Sequence, residues 1–319
     1  MSGLALDWEG GRLDFARGVM TFDGHGFQLD YGRPLESARL PEAGAELLFP
    51  SGGNMLVWRD VFEELGGFDD DYFAYLEDVD LGWRMWSAGW RVLHAPGALT
   101  YHRGSATSDL LGASHRGFLF ERNAFLTAYK NYEAGLWERV MPAVMLTLLS
   151  RIETLTVENN PGGSLLTVDP YGGLIANTPT AAPVASAPSG VAGVSAGKEA
   201  QARRSRGWVR RVLDALRGGG DGEGAAASAP VLADPRTQAH HRAVWNLLQG
   251  LDSAAVKRRR VQALRRRSDA EIFARFPLYL VATYPGDAAL FARPGFRAWL
   301  PADLPLRDST LDEVMAWRR

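Results

Sequence analysis

The stretch Gly66-Gly67-Phe68-Asp69-Asp70-Asp71-Tyr72-Phe73-Ala74-Tyr75-Leu76-Glu77-Asp78-Val79-Asp80-Leu81 decides how the chain is read. Its two glycines close one element, because a residue without Cβ takes the left-handed conformation that ends a helix. After an acidic and aromatic loop, a helix is predicted over 78–88, with Leu81 and Met85 at helical spacing and Gly89 as its stop. Upstream, residues 61–65 predict a short helix capped by Asp60, with Glu63 placed as in a capping box. Downstream, residues 90–94 and 98–102 have strand composition and flank Pro96-Gly97, which predicts two short strands joined by a turn.

Further out, residues 13–31 mix short apolar and aromatic positions with Gly18, Gly24 and Gly26, the pattern of hairpins. His25, between two of these glycines, reads as a turn residue rather than a ligand. Residues 118–149 are helical in pattern, with a break near 129–132. Residues 1–155 therefore read as folded α/β. Residues 156–233 are rich in Ala, Gly, Pro and Ser and hold too few large apolar groups to offset chain ordering, so a disordered, flexible linker is expected. Within it, residues 201–217 put Trp208, Val212, Leu213 and Leu216 on one face and six arginines around the rest, a basic amphipathic helix. A small helical C-terminal region, 234–319, opens with Asp234-Pro235 as cap and first helical residue, and Ser268 with Glu271 forms a second capping box.

A chain of 319 residues has room for one sizeable domain and a smaller one. The absence of cysteine excludes disulfides, thiolate zinc sites and cysteine nucleophiles, and points to a reducing, cytoplasmic compartment. No secretory pattern is visible after Met1, and the longest apolar run, 140–149, is shorter than the ~20 residues of a membrane span. The formal charge of −2 hides an asymmetry: residues 1–160 carry net −10 and residues 161–319 net +8. The acidic part argues against a nucleic-acid ligand, whereas the basic part suits anionic lipid, nucleic acid or the acidic half itself. The seven basic residues within 257–267 have no interleaved aromatic, which favours a solvated or partner-facing helix over nucleic-acid binding.

The 66–81 block, with Ser51-Gly52-Gly53-Asn54-Met55 before it and Arg84, Gly89, Pro96 and His102 after it, resembles family 2 glycosyltransferases, especially bacterial rhamnosyltransferase-like members. The resemblance covers about residues 1–150 and is strongest over 50–105. It implies the GT-A (nucleotide-diphospho-sugar transferase) fold and transfer with inversion, which needs one carboxylate beside the acceptor hydroxyl. It assigns that role to Asp78, at a helix start where the dipole favours an ionised carboxylate; a plain helix cap is the alternative. Glu77, Asp80 and Arg84 become acceptor-binding or supporting residues, with a salt bridge that orients the loop as the other reading. Gly52 and Gly53 either admit a ligand to the backbone or form a tight turn that needs positive φ. The D-x-D spacing of Asp78 and Asp80 is not taken as the family's metal motif, which ends a strand upstream of this block. His102 corresponds to the histidine that completes the coordination of Mn²⁺ or Mg²⁺ in GT-A enzymes; a hydrogen-bonded histidine at a strand edge is its alternative.

In the family the nucleotide pocket and D-x-D precede this block. The expectation is thus a partial GT-A domain whose nucleotide-binding half, with the other ligands of the divalent metal, is missing and which is inactive by itself. The implied partners are a nucleotide sugar donor, a glycan or lipid-linked acceptor of cell-envelope polysaccharide synthesis, and an anionic membrane surface at the inner face of the plasma membrane. A non-catalytic interaction or scaffold protein derived from a glycosyltransferase is the competing reading.

Overall fold

The computed structural model describes residues 1–103, 112–160 and 232–315, with the backbone alone at 112–114. The amphipathic segment 201–217 and most of 156–233 lie outside the described residues. A four-stranded sheet has the order β2-β1-β6-β5, where β1 is Ser2–Asp7, β2 Leu13–Phe15, β5 Glu46–Leu47 and β6 Val92–His102. β1 runs parallel to β6 and antiparallel to β2. Both faces of β1 are covered, which is why its short apolar run does not alternate with polar residues. A hairpin of β3 (Gly18–Met20) and β4 (Gly26–Gln28) confirms the glycine-marked turn.

Where two strands with a turn were expected, the structure has one strand of 11 residues. The pairing jumps from Gly3 opposite Ala95 to Leu4 opposite Leu99, so Pro96-Gly97 lies in a bulge and not in a turn. Asn54 fills that irregularity: its amide donates to Ala98 O (2.8 Å), Leu4 O (3.1 Å) and Thr100 Oγ1 (3.2 Å). Any side chain at Gly3 would overlap Asn54 and the Ala98 carbonyl.

Helix α1 (Arg59–Glu64) begins one residue before Asp60, so Asp60 lies in the first turn and Trp58 is the uncapped N-cap. It stops as expected, at Gly66 and Gly67 with φ 85° and 70°. Helix α2 (Glu77–Ser87) buries Trp83 against Tyr132 and Phe273 and Trp86 next to the sheet, where its indole donates to Leu47 O at 2.9 Å. Two long helices follow, α3 (Gly112–Asn131) and α4 (Ala134–Asn159), broken at Tyr132-Glu133. By length and composition α4 would suffice to cross a membrane, longer than the run 140–149 suggested. It nevertheless lays Val140, Val144, Leu148 and the charged Arg151 into the interior.

From residue 232 the chain packs into the same compact unit. Helix α5 (Pro235–Gln249) starts at the expected Asp234 cap, which accepts from Thr237 N–H at 2.7 Å. Helix α6 (Leu251–Ala263) runs alongside α3, and α7 (Asp269–Phe273) has the expected Ser268–Glu271 capping box. The region also holds a parallel pair that its sequence did not suggest, β7 (Leu278–Leu280) with β8 (Leu306–Asp308). Short helices α8 (Asp287–Phe291), α9 (Pro294–Arg297) and α10 (Leu311–Val314) complete it.

Gly82, in the middle of α2, faces the backbone of Leu48 and Phe49, and a methyl group there would overlap Phe49. Gly→Ala inside a helix ordinarily gains about 1 kcal/mol, but overpacking costs about 1–3 kcal/mol. Gly82→Ala is therefore expected to lower stability in urea unfolding; a rise would show that Phe49 yields freely.

Candidate active site

Glu77 and Asp78 form the first turn of α2, and the chain reaches them through an unusual loop. Phe73, Tyr75 and Leu76 have φ of 60°, 68° and 67°. For residues with a Cβ each such conformation costs on the order of 1 kcal/mol or more, so something must hold the loop. That something is α3. The buried Asn123 amide donates to the carbonyls of Tyr72 (3.1 Å), Ala74 (2.8 Å) and Tyr75 (2.7 Å). Its neighbour Arg122 donates to the carbonyls of Asp71 and Tyr72, and the Tyr72 hydroxyl meets Thr127 Oγ1 at 2.8 Å. Lys130 and Lys257 both pair with Asp69, and Lys257 also with Asp71.

The loop delivers Asp78 to Gly52. Asp78 Oδ2 accepts the Gly52 N–H at 2.9 Å, and Oδ1 accepts the Val79 N–H at 2.8 Å. A Cβ at Gly52 would lie 3.4 Å from both Asp78 Oδ2 and Glu77 Oε1, whereas one at Gly53 would meet Ser51 Oγ at 3.8 Å. The pair does form a tight turn, closed by Asn54 N–H to Ser51 O at 3.1 Å, but neither glycine has the left-handed φ expected of it, and the turn aims the Gly52 N–H at Asp78. Burial raises the Asp78 carboxyl against the pull of the Gly52 and Val79 N–H groups. Burial, then the charge of Asp78, pushes Glu77 up to about 7, and its buried Oε2 has no hydrogen-bond partner. Two carboxylates this close titrate as a pair.

Asp80 and Arg84 do not join them. Asp80 is wholly buried, with Oδ2 2.8 Å from Arg84 and Oδ1 both 3.0 Å from Lys130 and accepting from the Asn131 amide at 2.8 Å. Burial would raise its carboxyl, but Arg84 and Lys130 outweigh that and hold it at about 2. Arg84 also donates to Leu65 O at 2.9 Å, fastening α2 to the end of α1. Both are supports of the loop.

His102 closes β6 and is exposed, with Nδ1 3.2 Å from Asp14 Oδ2 on β2. Burial raises the Asp14 carboxyl, and His102 opposes that rise. Among the described residues no group of three or more His, Asp or Glu side chains is placed to hold a metal ion. His102 and Asp14 alone fall short of the donor set a divalent ion needs. His25 is more than a turn residue: it is buried between Asp23 (3.2 Å) and Glu121 (2.9 Å).

Residues 21–150 match the family described as glycosyl transferase family group 2. Over 65 residues the chain is 45% identical to N-acetylglucosaminyl-diphospho-decaprenol L-rhamnosyltransferase from two Mycobacterium tuberculosis strains, CDC 1551 / Oshkosh and ATCC 25618 / H37Rv. Residues 21–150 are thus a region of family 2 glycosyltransferase sequence, and a 65-residue stretch of the chain is rhamnosyltransferase-like. The aligned part is 20% of this chain and 21% of each relative, so the chain matches about a fifth of their length.

The residues that sequence reading missed are Arg122, Asn123, Lys130 and Lys257. Their signal was faint: in α3 a run of polar side chains, Glu121, Arg122 and Asn123, interrupts an apolar pattern, and buried polar groups need partners. Glu77 makes a test of the site's electrostatics. Its folded value of about 7 lies above the ordinary 4.5, so the stability it contributes is complete below pH 4.5 and is lost as pH rises through 7. Glu77→Gln is neutral at every pH and should gain on the wild type between pH 4.5 and 8 in urea unfolding. An equal difference at both pH values would show that Glu77 titrates normally.

Proposed function

We propose that this region carries the acceptor side of an inverting glycosyl transfer, from a nucleotide-activated deoxyhexose to a glycan or lipid-linked acceptor, with Asp78 as the base. The observation that carries the reading is the fixing of Asp78: each oxygen is held by a backbone N–H, of Gly52 and of Val79. A general base must be held within reach of the proton it takes, and burial makes this one more basic than a solvated carboxylate. As the acceptor oxygen bonds to the anomeric carbon, the bond to the nucleoside diphosphate breaks on the opposite face and the hydroxyl proton passes to Asp78. Glu77 lies against the same surface and holds its proton to about pH 7, which places it to hydrogen-bond an acceptor oxygen. Asp80 and Arg84 keep α2 in position.

The relatives' name, a decaprenol-linked acceptor and an L-rhamnosyl group, supports the lipid-linked acceptor and the deoxyhexose. A lipid-linked acceptor in turn suits a site at the inner face of the plasma membrane.

Asp78→Asn, made in the protein as it occurs in the cell, should keep the fold with a slightly lower melting temperature, since one of the two N–H groups loses its acceptor, and reduce transfer by about 10²–10⁴-fold. Near-normal turnover in that variant would remove Asp78 from the role of base.

A further inference from the structure

Asn123 lies on α3, outside the carboxylate pair, yet three of the bonds that shape the approach to that pair come from its side chain. We infer that Asn123 is a positioning residue for Glu77 and Asp78: its amide holds loop 72–76 in the left-handed shape that brings the first turn of α2 onto Gly52. Because it concerns the same carboxylates, this role rests on the reading of Asp78 as the base.

Three observations converge on it. The side chain is fully buried, and its amide nitrogen makes only loop contacts. Its oxygen accepts from Arg122 Nε at 3.0 Å, which fixes which end of the amide faces the loop. Arg122 is itself anchored from the far side by Asn246 of α5 at 3.1 Å. Arg122 and the pairs at Asp69 hold the start of the loop, but its left-handed residues lean on Asn123: the Ala74 and Tyr75 carbonyls accept from it, Leu76 is an N-cap without a side-chain cap, and Phe73 is 78% exposed, so packing does not hold its backbone. Once the Ala74 and Tyr75 carbonyls lose their donor, Phe73, Tyr75 and Leu76 are free to relax to negative φ. The start of α2 then turns, and Asp78 leaves the Gly52 N–H.

The experiment uses the full chain and needs no transfer assay. Carbon-detected NMR follows the side-chain titrations of Glu77 and Asp78, and proton–nitrogen spectra follow the Gly52 amide, in Asn123→Ala and wild type. The variant should move the Glu77 midpoint down by about a pH unit, as water reaches the pair, and the Gly52 amide should stop responding to the titration of Asp78. Adding Phe73→Gly to Asn123→Ala should restore much of the difference, because glycine takes φ of 60° without strain. An unmoved Glu77 midpoint in Asn123→Ala, or no recovery in the double variant, would overturn the inference. Should Asn123→Ala fail to fold, Phe73→Gly alone is decisive: relief of strain raises its melting temperature, and an unchanged or lower one refutes a loop held under strain. The base assignment fails separately, through normal turnover of Asp78→Asn, and that failure leaves the NMR result standing.

Discussion

Five buried charges tie the described parts of the chain together. Arg151 of α4 meets Asp23 of the β3–β4 turn (3.0 Å), Glu121 of α3 (3.3 Å) and Asp287 of α8 (2.9 Å). His25 closes the circle between Asp23 and Glu121. Each of these groups alone in the interior would cost several kcal/mol, so none can be buried before its partners arrive. Burial would lower the His25 value, but Asp23 and Glu121 overcome it and raise it to about 9, while Arg151 and His25 hold Glu121 down at about 2. The cluster fixes where α3 lies relative to the hairpin, α4 and the C-terminal residues. Hydrophobic contacts, which have no direction, would not set that position so narrowly.

The site inherits this constraint. Glu121 is followed directly by Arg122 and Asn123, which grip the loop before α2, and two turns later Thr127, Lys130 and Asn131 hold Tyr72, Asp69 and Asp80. One face of α3 thus sets both ends of the loop that presents Glu77 and Asp78. Strain in three residues is tolerated there because the surrounding hydrogen bonds leave the loop no cheaper shape.

What the sequence showed clearly was local. Gly66-Gly67, Gly89, Asp234-Pro235 and the Ser268–Glu271 box act through neighbours a few residues away, and all four mark element ends in the structure. The block around Glu77 and Asp78 was legible for a similar reason, since its order of residues is contiguous. Pro96-Gly97 misled because a turn and a bulge use the same residues, and only the partner strand β1 decides between them. Asp60 looked like a cap because an acidic residue is equally at home in the first turn. His25, Asn123 and Lys257 were illegible: their partners lie 96, 51 and 188 residues away, and no spacing rule reaches that far.

The long-range pairs also account for the charge asymmetry of the chain. Of the destinations open to the basic half, the described residues of that half meet the acidic one: Lys257 pairs with Asp69 and Asp71, Arg275 lies 3.5 Å from Glu46, and Arg266 lies 3.7 Å from Glu64. The exposed pairs contribute little individually. Lys257 differs, because Asp69 is largely buried at the root of the strained loop and shares its charge with Lys130. Gln262 and Arg265 add bonds from α6 and its end to the backbone carbonyls of Asn131 and its neighbours. The run 257–267, read alone as a basic stretch in search of a ligand, spends its inner side chains on the acidic loop and the end of α3. In this way the C-terminal region becomes part of the support on which the Glu77–Asp78 pair stands.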